Sequence, residues 1–194
     1  MLTPMRRGLV VAFAAGLLLG LATRLVYELP REWWWLAKIG GPWLAVAFTV
    51  GLTVRRPLDG ALIGAVCLVT AILIYYAIMG LLQHAYDASP LGLAWLFIAV
   101  PAGLAFGALG ATVRRPGLRV PASAMLSAAF VAEALLTADR SRAGTAALLA
   151  GGLVVPLVTG RSYREQALTF GWTAALGGVA VAAGGVVFGL TGYS

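Results

Sequence analysis

The chain has 194 residues, of which 61% are hydrophobic and 11% charged, with a mean hydropathy of +0.92 and a formal net charge of +7. A soluble domain carries roughly a quarter charged residues to wet its surface, so these charges are too few for one, and most of the chain must be solvated by lipid. The basic residues sit in short clusters between apolar runs, the pattern of membrane loops rather than of a nucleic-acid-binding face. The single cysteine, Cys67, excludes an intrachain disulfide and a cysteine metal site.

In chain order, Arg6-Arg7 precede a first apolar run, Gly8–Tyr27. This start resembles a secretory signal peptide, but apolar residues continue through Leu25-Val26-Tyr27, which favours a retained helix. Arg24 and Glu28 stand one helical turn apart at its end, placed to pair with each other or to supply polar contacts to a ligand. The segment Pro30–Lys38 then combines Trp33, Trp34 and Trp35 with Arg31, Glu32 and Lys38, which suits a stretch lying flat in a membrane interface. A second run, Gly41–Val54, is short for the ~20 residues that a ~30 Å hydrocarbon layer demands, unless Trp33–Ala37 joins it.

Leu58–Leu82 and Leu91–Val113 meet that length easily, Pro121–Thr137 and Ala143–Gly160 only narrowly, and Ala167–Thr191 with residues to spare. Pro101 and Pro156 fall inside two of these runs and should free the carbonyls of Phe97 and Gly152. Glu133 is a charge embedded in an apolar run. It reads either as snorkelling to the interface or pairing with Arg140 or Arg142, or as a proton, cation or counter-ion site. Ser123 and Ser127, one turn apart in the same run, read as interhelical hydrogen bonders.

These runs predict an all-α, polytopic transmembrane helix bundle in one domain, 1–194. Seven helices are expected, or six if the first is cleaved or two merge. With the N-terminus cytoplasmic, the inner segments hold nine basic residues against Asp59 and Glu165, a net +7, whereas the outer segments balance five against five. Lys and Arg counts set orientation, and nine against five gives the same answer. Merging Pro121–Thr137 with Ala143–Gly160 would bury Asp139, Arg140 and Arg142 in lipid at several kcal/mol each, so seven is preferred. Thirteen arginines against one lysine suggest GC-rich coding, and with it a bacterial cytoplasmic membrane. Thr53-Val54-Arg55-Arg56-Pro57 recurs as Thr112-Val113-Arg114-Arg115-Pro116, which suggests helical-hairpin repeats at about 41–82, 91–137 and 143–191. Orientation charges and helix-starting prolines give the same pattern without duplication.

Apolar burial against water cannot hold helices together in lipid, so close approach through small residues must do so. Gly16/Gly20, Gly60/Gly64, Gly103/Gly107 and Gly185/Gly189 are each four apart and are expected to pack helices. The glycine-rich last helix is expected to be central.

Chemistry-bearing signatures are sparse. His84 has no second histidine to complete a metal pair, and neither paired intramembrane carboxylates nor a phosphate loop occurs. No catalytic residue, cofactor or metal is therefore expected. The aromatic residues are uneven instead: Trp33, Trp34, Trp35, Trp43 and Trp95, with Tyr27, Tyr75, Tyr76, Tyr86 and Tyr193, fall toward the outer side, leaving Trp172 and Tyr163 inside. Belts normally decorate both interfaces. The candidate ligand site is accordingly outward-facing, built from Arg24, Glu28, Trp43, Tyr75, Tyr76, Trp95 and Glu133.

The run Gly41-Pro42-Trp43-Leu44-Ala45-Val46-Ala47-Phe48, with Arg55-Arg56-Pro57, Gly60-Ala61-Leu62-Ile63-Gly64-Ala65 and Tyr75-Tyr76, resembles a family of small uncharacterised multi-pass membrane proteins of GC-rich bacteria. That resemblance implies no activity. In size, small-residue contacts and outward pocket, the chain is also similar to the substrate-capturing subunits of energy-coupling-factor transporters. Two functions follow as expectations: a small-molecule binding or transport subunit, or a non-catalytic assembly partner docking other membrane subunits or a second copy of itself.

Overall fold

The computed structural model describes residues 3–83 and 90–191, with side-chain surroundings for 3–81 and 94–182. Among them every regular element is helical: α1 (Pro4–Val26), a 3-10 turn (Arg31–Trp33), α2 (Trp35–Lys38), α3 (Gly41–Gly51), α4 (Pro57–Gln83), α5 (Pro90–Thr112), α6 (Pro116–Leu136), α7 (Arg142–Thr159) and α8 (Tyr163–Thr191). Proline opens α1, α4, α5 and α6, where its missing N–H is no loss and its φ is already helical. Side-chain caps finish other starts: Thr3 Oγ1 accepts from Arg6 N–H at 3.4 Å, Ser141 Oγ from Gly144 N–H at 3.1 Å, and Ser162 Oγ from Glu165 N–H at 3.2 Å. In the repeated Thr-Val-Arg-Arg-Pro turn, both threonines donate to the carbonyl three residues back, Thr53 to Val50 at 2.7 Å and Thr112 to Leu109 at 2.8 Å.

Among the described residues, five helices are long and apolar enough to cross a membrane: α1, α4 over Pro57–Leu81, α5 over Ala94–Thr112, α6 and α7. The second apolar run stays short. Trp33–Ala37 does not extend it, because the helical backbone breaks at Ile39-Gly40, and α3 keeps 11 residues, about 16 Å at 1.5 Å per residue.

By contacts the chain forms two compact units, Met1–Lys38 with Pro42–Arg114, and Ile39–Gly41 with Arg115–Ser194. In the first unit α1 and α4 run parallel, in a register set by glycine. A Cβ on Gly16 would strike the Cys67 carbonyl, and one on Gly20 would lie 2.5 Å from the Ala71 carbonyl. Both pairs are 51 residues apart, as are Ala12 and Ile63, which share a buried cluster. Against α5, α4 runs antiparallel: Gly60 lies against Gly107, and Gly64 against Gly103. Gly51 of α3 meets the Gly107 carbonyl, and Gly110 meets the Phe48 carbonyl. Backbone thus touches backbone on α1, α3, α4 and α5, which only side-chain-free positions allow.

In the second unit α6 is the central helix, packed against both α7 and α8 and burying Ala122, Ser123, Ala124, Ala128, Ala132 and Ala134. The described part of α8 leaves Gly171 and Gly178 with no neighbour within 4 Å of a Cβ, and Leu168, Trp172 and Val179 exposed. Gly185 and Gly189 lie on α8 beyond the residues whose surroundings are described.

Pro156 inside α7 removes the amide that would bond the Gly152 carbonyl. Ser127 Oγ on α6 donates to that carbonyl at 2.5 Å, so one helix repairs the defect in the next. Ser127→Ala should therefore cost about 1 kcal/mol, and much less in a Pro156→Ala background, where residue 156 supplies its own N–H. A double-mutant cycle of unfolding in mixed micelles measures this, and additive losses would contradict it.

Candidate functional site

At the end of the first unit away from Arg6 and Arg7, the α1–α4 register of 51 brings Arg24 level with Tyr75. Arg24 is buried, 7% exposed, and its Nη1 donates to Glu28 Oε1 at 2.6 Å, whereas Glu28 is largely exposed. The Arg24 Nε is buried with no hydrogen-bond partner. A buried guanidinium with its Nε donor unmet is a costly arrangement, and such costs concentrate where a ligand supplies the missing acceptor.

Aromatic rings border this charge pair. Tyr75 and Tyr76 stand edge to face at 5.2 Å, Tyr75 lies 6.4 Å from Tyr27, and Tyr27 meets Trp34 edge-on at 5.5 Å. Trp34 is fixed in turn, its Nε1 donating to the Leu29 carbonyl at 3.0 Å. Rings this close touch one another, so they form a continuous wall rather than an open cage for a cation. Trp43 and Tyr76 both pack on the buried cluster of Ala47, Leu68, Ile72 and Ala99. Four of the seven candidate residues, Arg24, Glu28, Tyr75 and Tyr76, therefore gather at one end of the unit, with Trp43 in the packing beside Tyr76. Trp95 is about half exposed on α5. Tyr27 and Trp34 complete the wall. Their sequence signal was position alone, next to Glu28 and in the tryptophan run.

Glu133 belongs to the second unit, where its carboxylate neither snorkels nor depends on Arg140 or Arg142. Oε1 accepts from Gly40 N–H at 2.5 Å and Oε2 from Gly41 N–H at 2.6 Å. The start of a helix presents unpaired N–H groups with partial positive charge, and here a carboxylate from a distant part of the sequence takes two of them.

The same unit holds a polar seam that sequence reasoning missed. Arg119, which precedes the apolar run Pro121–Thr137, lies one turn inside α6, is 6% exposed, and its Nη1 donates to Glu165 Oε1 at 3.1 Å and Oε2 at 3.3 Å. Gly177 faces Val131, and both pairs are 46 residues apart, so α6 and α8 run parallel with Ser123 level with Thr169 and Ser127 with Thr173. All four are buried. The signal was available in two four-residue steps, Arg119-Ser123-Ser127 and Glu165-Thr169-Thr173. Glu165 precedes the apolar run of α8. Its carboxyl is held below the ordinary carboxylate range, chiefly by the Arg161 N–H that donates to Oε2 at 2.9 Å, and also by Arg119.

No group of three or more His, Cys, Asp or Glu positioned for a metal occurs among the described residues. His84, Tyr86 and Tyr193 lie outside them.

A helical chain with several membrane-length apolar helices and glycine-mediated contacts is a multi-pass membrane protein. A family model matches residues 2–191, and the chain belongs to that family, DUF6518, a family of unknown function. No curated protein matches it, and no solved structure does.

Proposed function

We propose that the chain is a seven-span protein of the bacterial cytoplasmic membrane, N-terminus inside, that binds or carries a small molecule at its outer side without catalysis or cofactor. Parallel α1 and α4 support the helix count, because the chain must return between them and α3 is the helix there. The arginines at the opposite end from Arg24 support the orientation. The reading rests on one observation: the buried Arg24 guanidinium, paired with Glu28 and bordered by Tyr27, Tyr75 and Tyr76, keeps an unmet Nε donor. A ligand with an acceptor oxygen and a flat or apolar body answers both features. The likeness to substrate-capturing transporter subunits adds only architecture.

The test is a tryptophan-fluorescence titration of the purified protein with small carboxylates and other metabolites, with Trp34 as reporter beside Tyr27. A saturable response is expected, weakened about tenfold or more in Arg24→Gln and Tyr75→Ala. No saturable response, or one unchanged in both variants, would sink the reading.

An assembly role has its own support. Gly171, Ala175, Gly178 and Ala182 form an exposed small-residue stripe on α8, and such stripes admit a second helix at close range. Cross-linking through Ala175→Cys in membranes would capture that partner, and its absence would favour the ligand reading.

A further inference from the structure

The first unit carries a second feature, independent of the Arg24 cluster. Between α1 and α3 lies an open groove of about 320 Å³, walled by Val11 and Ala15 on α1 and by Ala45, Val46 and Thr49 on α3, with Thr53 in the turn that follows. Its two hydroxyls are already committed. Thr49 Oγ1 donates to the Ala45 carbonyl and Thr53 Oγ1 to the Val50 carbonyl, each at 2.7 Å. The groove is therefore apolar in effect.

Its mouth is cationic. Arg7, Val11 and Ala15 recur every four residues, so Arg7 stands one turn beyond the groove on the same stripe of α1. On the facing wall, Thr53 is followed by Arg55 and Arg56. Gly8 sets these two sides at one level, since a Cβ there would touch Val54 at 3.2 Å and Thr53 at 3.4 Å. Arg6, Arg7 and Arg56 are exposed, Arg114 follows the last turn of α5 at the same end of the unit, and Asp59 is an acid at that end.

We infer that this groove is a binding site for an anionic phospholipid, with one acyl chain between α1 and α3 and the phosphate on Arg7 and Arg56. A free anion answers the arginines but not the apolar walls, and a neutral lipid or an apolar helix answers the walls but not the arginines. Basic residues at a membrane surface attract anionic headgroups, by about fivefold in affinity for each one. In the orientation proposed above, this is the cytoplasmic leaflet.

The experiment is native mass spectrometry of the full chain in mild detergent, titrated with phosphatidylglycerol, with phosphatidylcholine of identical acyl chains, and with glycerol phosphate alone. Phosphatidylglycerol is expected to bind most tightly and glycerol phosphate not at all over the same range. Arg7→Gln/Arg56→Gln should weaken phosphatidylglycerol by about 25-fold, fivefold for each arginine, and leave phosphatidylcholine unchanged. Thr49→Trp and Val11→Trp introduce bulk at exposed groove positions, so each should fold and lose bound phosphatidylglycerol. The proposal fails if the two lipids bind equally to the wild type. It also fails if the double arginine variant keeps its affinity, if both tryptophan variants retain the lipid, or if glycerol phosphate alone reproduces the binding. A cross-linked dimer through Thr49→Cys in native membranes would assign the groove to a second copy instead.

Discussion

Gly107→Ala is expected to destabilise the first unit by about 3 kcal/mol, and Gly107→Leu to abolish its folding. Ordinary overpacking is relieved when a side-chain tip swings aside. Here the obstacles are backbone: the Gly60 carbonyl, and the Gly64 Cα only 2.9 Å from where the new Cβ would sit. All three of the nearest atoms belong to Gly60 and Gly64, so one methyl group must part α5 from the α4 backbone. Because dispersion between closely apposed backbones is much of what holds helices in lipid, a gap of half an ångström forfeits a large share of the contact. Gly171→Ala supplies the contrast, since nothing lies within 4 Å of a Cβ there. It should change stability by less than about 0.5 kcal/mol, and in the stabilising direction if anything, because alanine is the better helix former. Unfolding of the two variants in mixed micelles, with tryptophan emission as signal, separates them. Equal behaviour would mean that the α4–α5 contact is not the tight one described.

Much of this packing is legible in the sequence, though not its partners. Four-residue spacing marks Gly16/Gly20 and Gly60/Gly64 as candidate contact stripes. Which helix each meets depends on three-dimensional register, the offset of 51 that sets Gly16 on Cys67 and Gly20 on Ala71. Apolar runs place α4 and α5 to within a residue or two, because their ends coincide with proline and charge. Reading the fifth run from Pro121 misplaced the start of α6, since Arg119 is charged and hydropathy alone puts it in a loop. The helix instead begins at Pro116, and Glu165 neutralises the buried guanidinium. Trp34 illustrates the converse: three adjacent tryptophans announce an interface, but only the fold shows which of them turns toward Tyr27. The candidate site was legible as an excess of aromatic residues on one side. Its centre, the buried Arg24, was legible only as a pair with Glu28, because burial depends on what α4 places opposite.

Glu133→Ala is expected to cost about 3–5 kcal/mol, more than any other single side-chain truncation in the second unit. The carboxylate accepts from two amides at 2.5 and 2.6 Å, and a hydrogen bond to a charged acceptor contributes roughly 1.5–3 kcal/mol. Alanine leaves both donors unmet. The loss falls hardest at Gly41, which is buried, whereas Gly40 is exposed and can turn to another acceptor. No nearby side chain can replace the acceptor at Gly41, where a Cβ would already meet the Phe130 ring at 2.8 Å and Leu148 at 3.0 Å. Glu133→Gln discriminates electrostatics from shape. Its amide keeps one acceptor oxygen but turns an N–H₂ toward the second donor, so it should recover less than half of the loss. Glu133→Asp keeps the charge but shortens the reach by one methylene, and should recover it only if Gly40-Gly41 can approach α6. Amide hydrogen exchange reads the outcome at the bonds themselves. Gly41 should be protected in the wild type and should exchange faster in the alanine and glutamine variants, while amides in the middle of α6 stay unchanged. If Gly41 remains equally protected in Glu133→Ala, the carboxylate is not what satisfies that amide, and Glu133 returns to the group of residues awaiting a ligand.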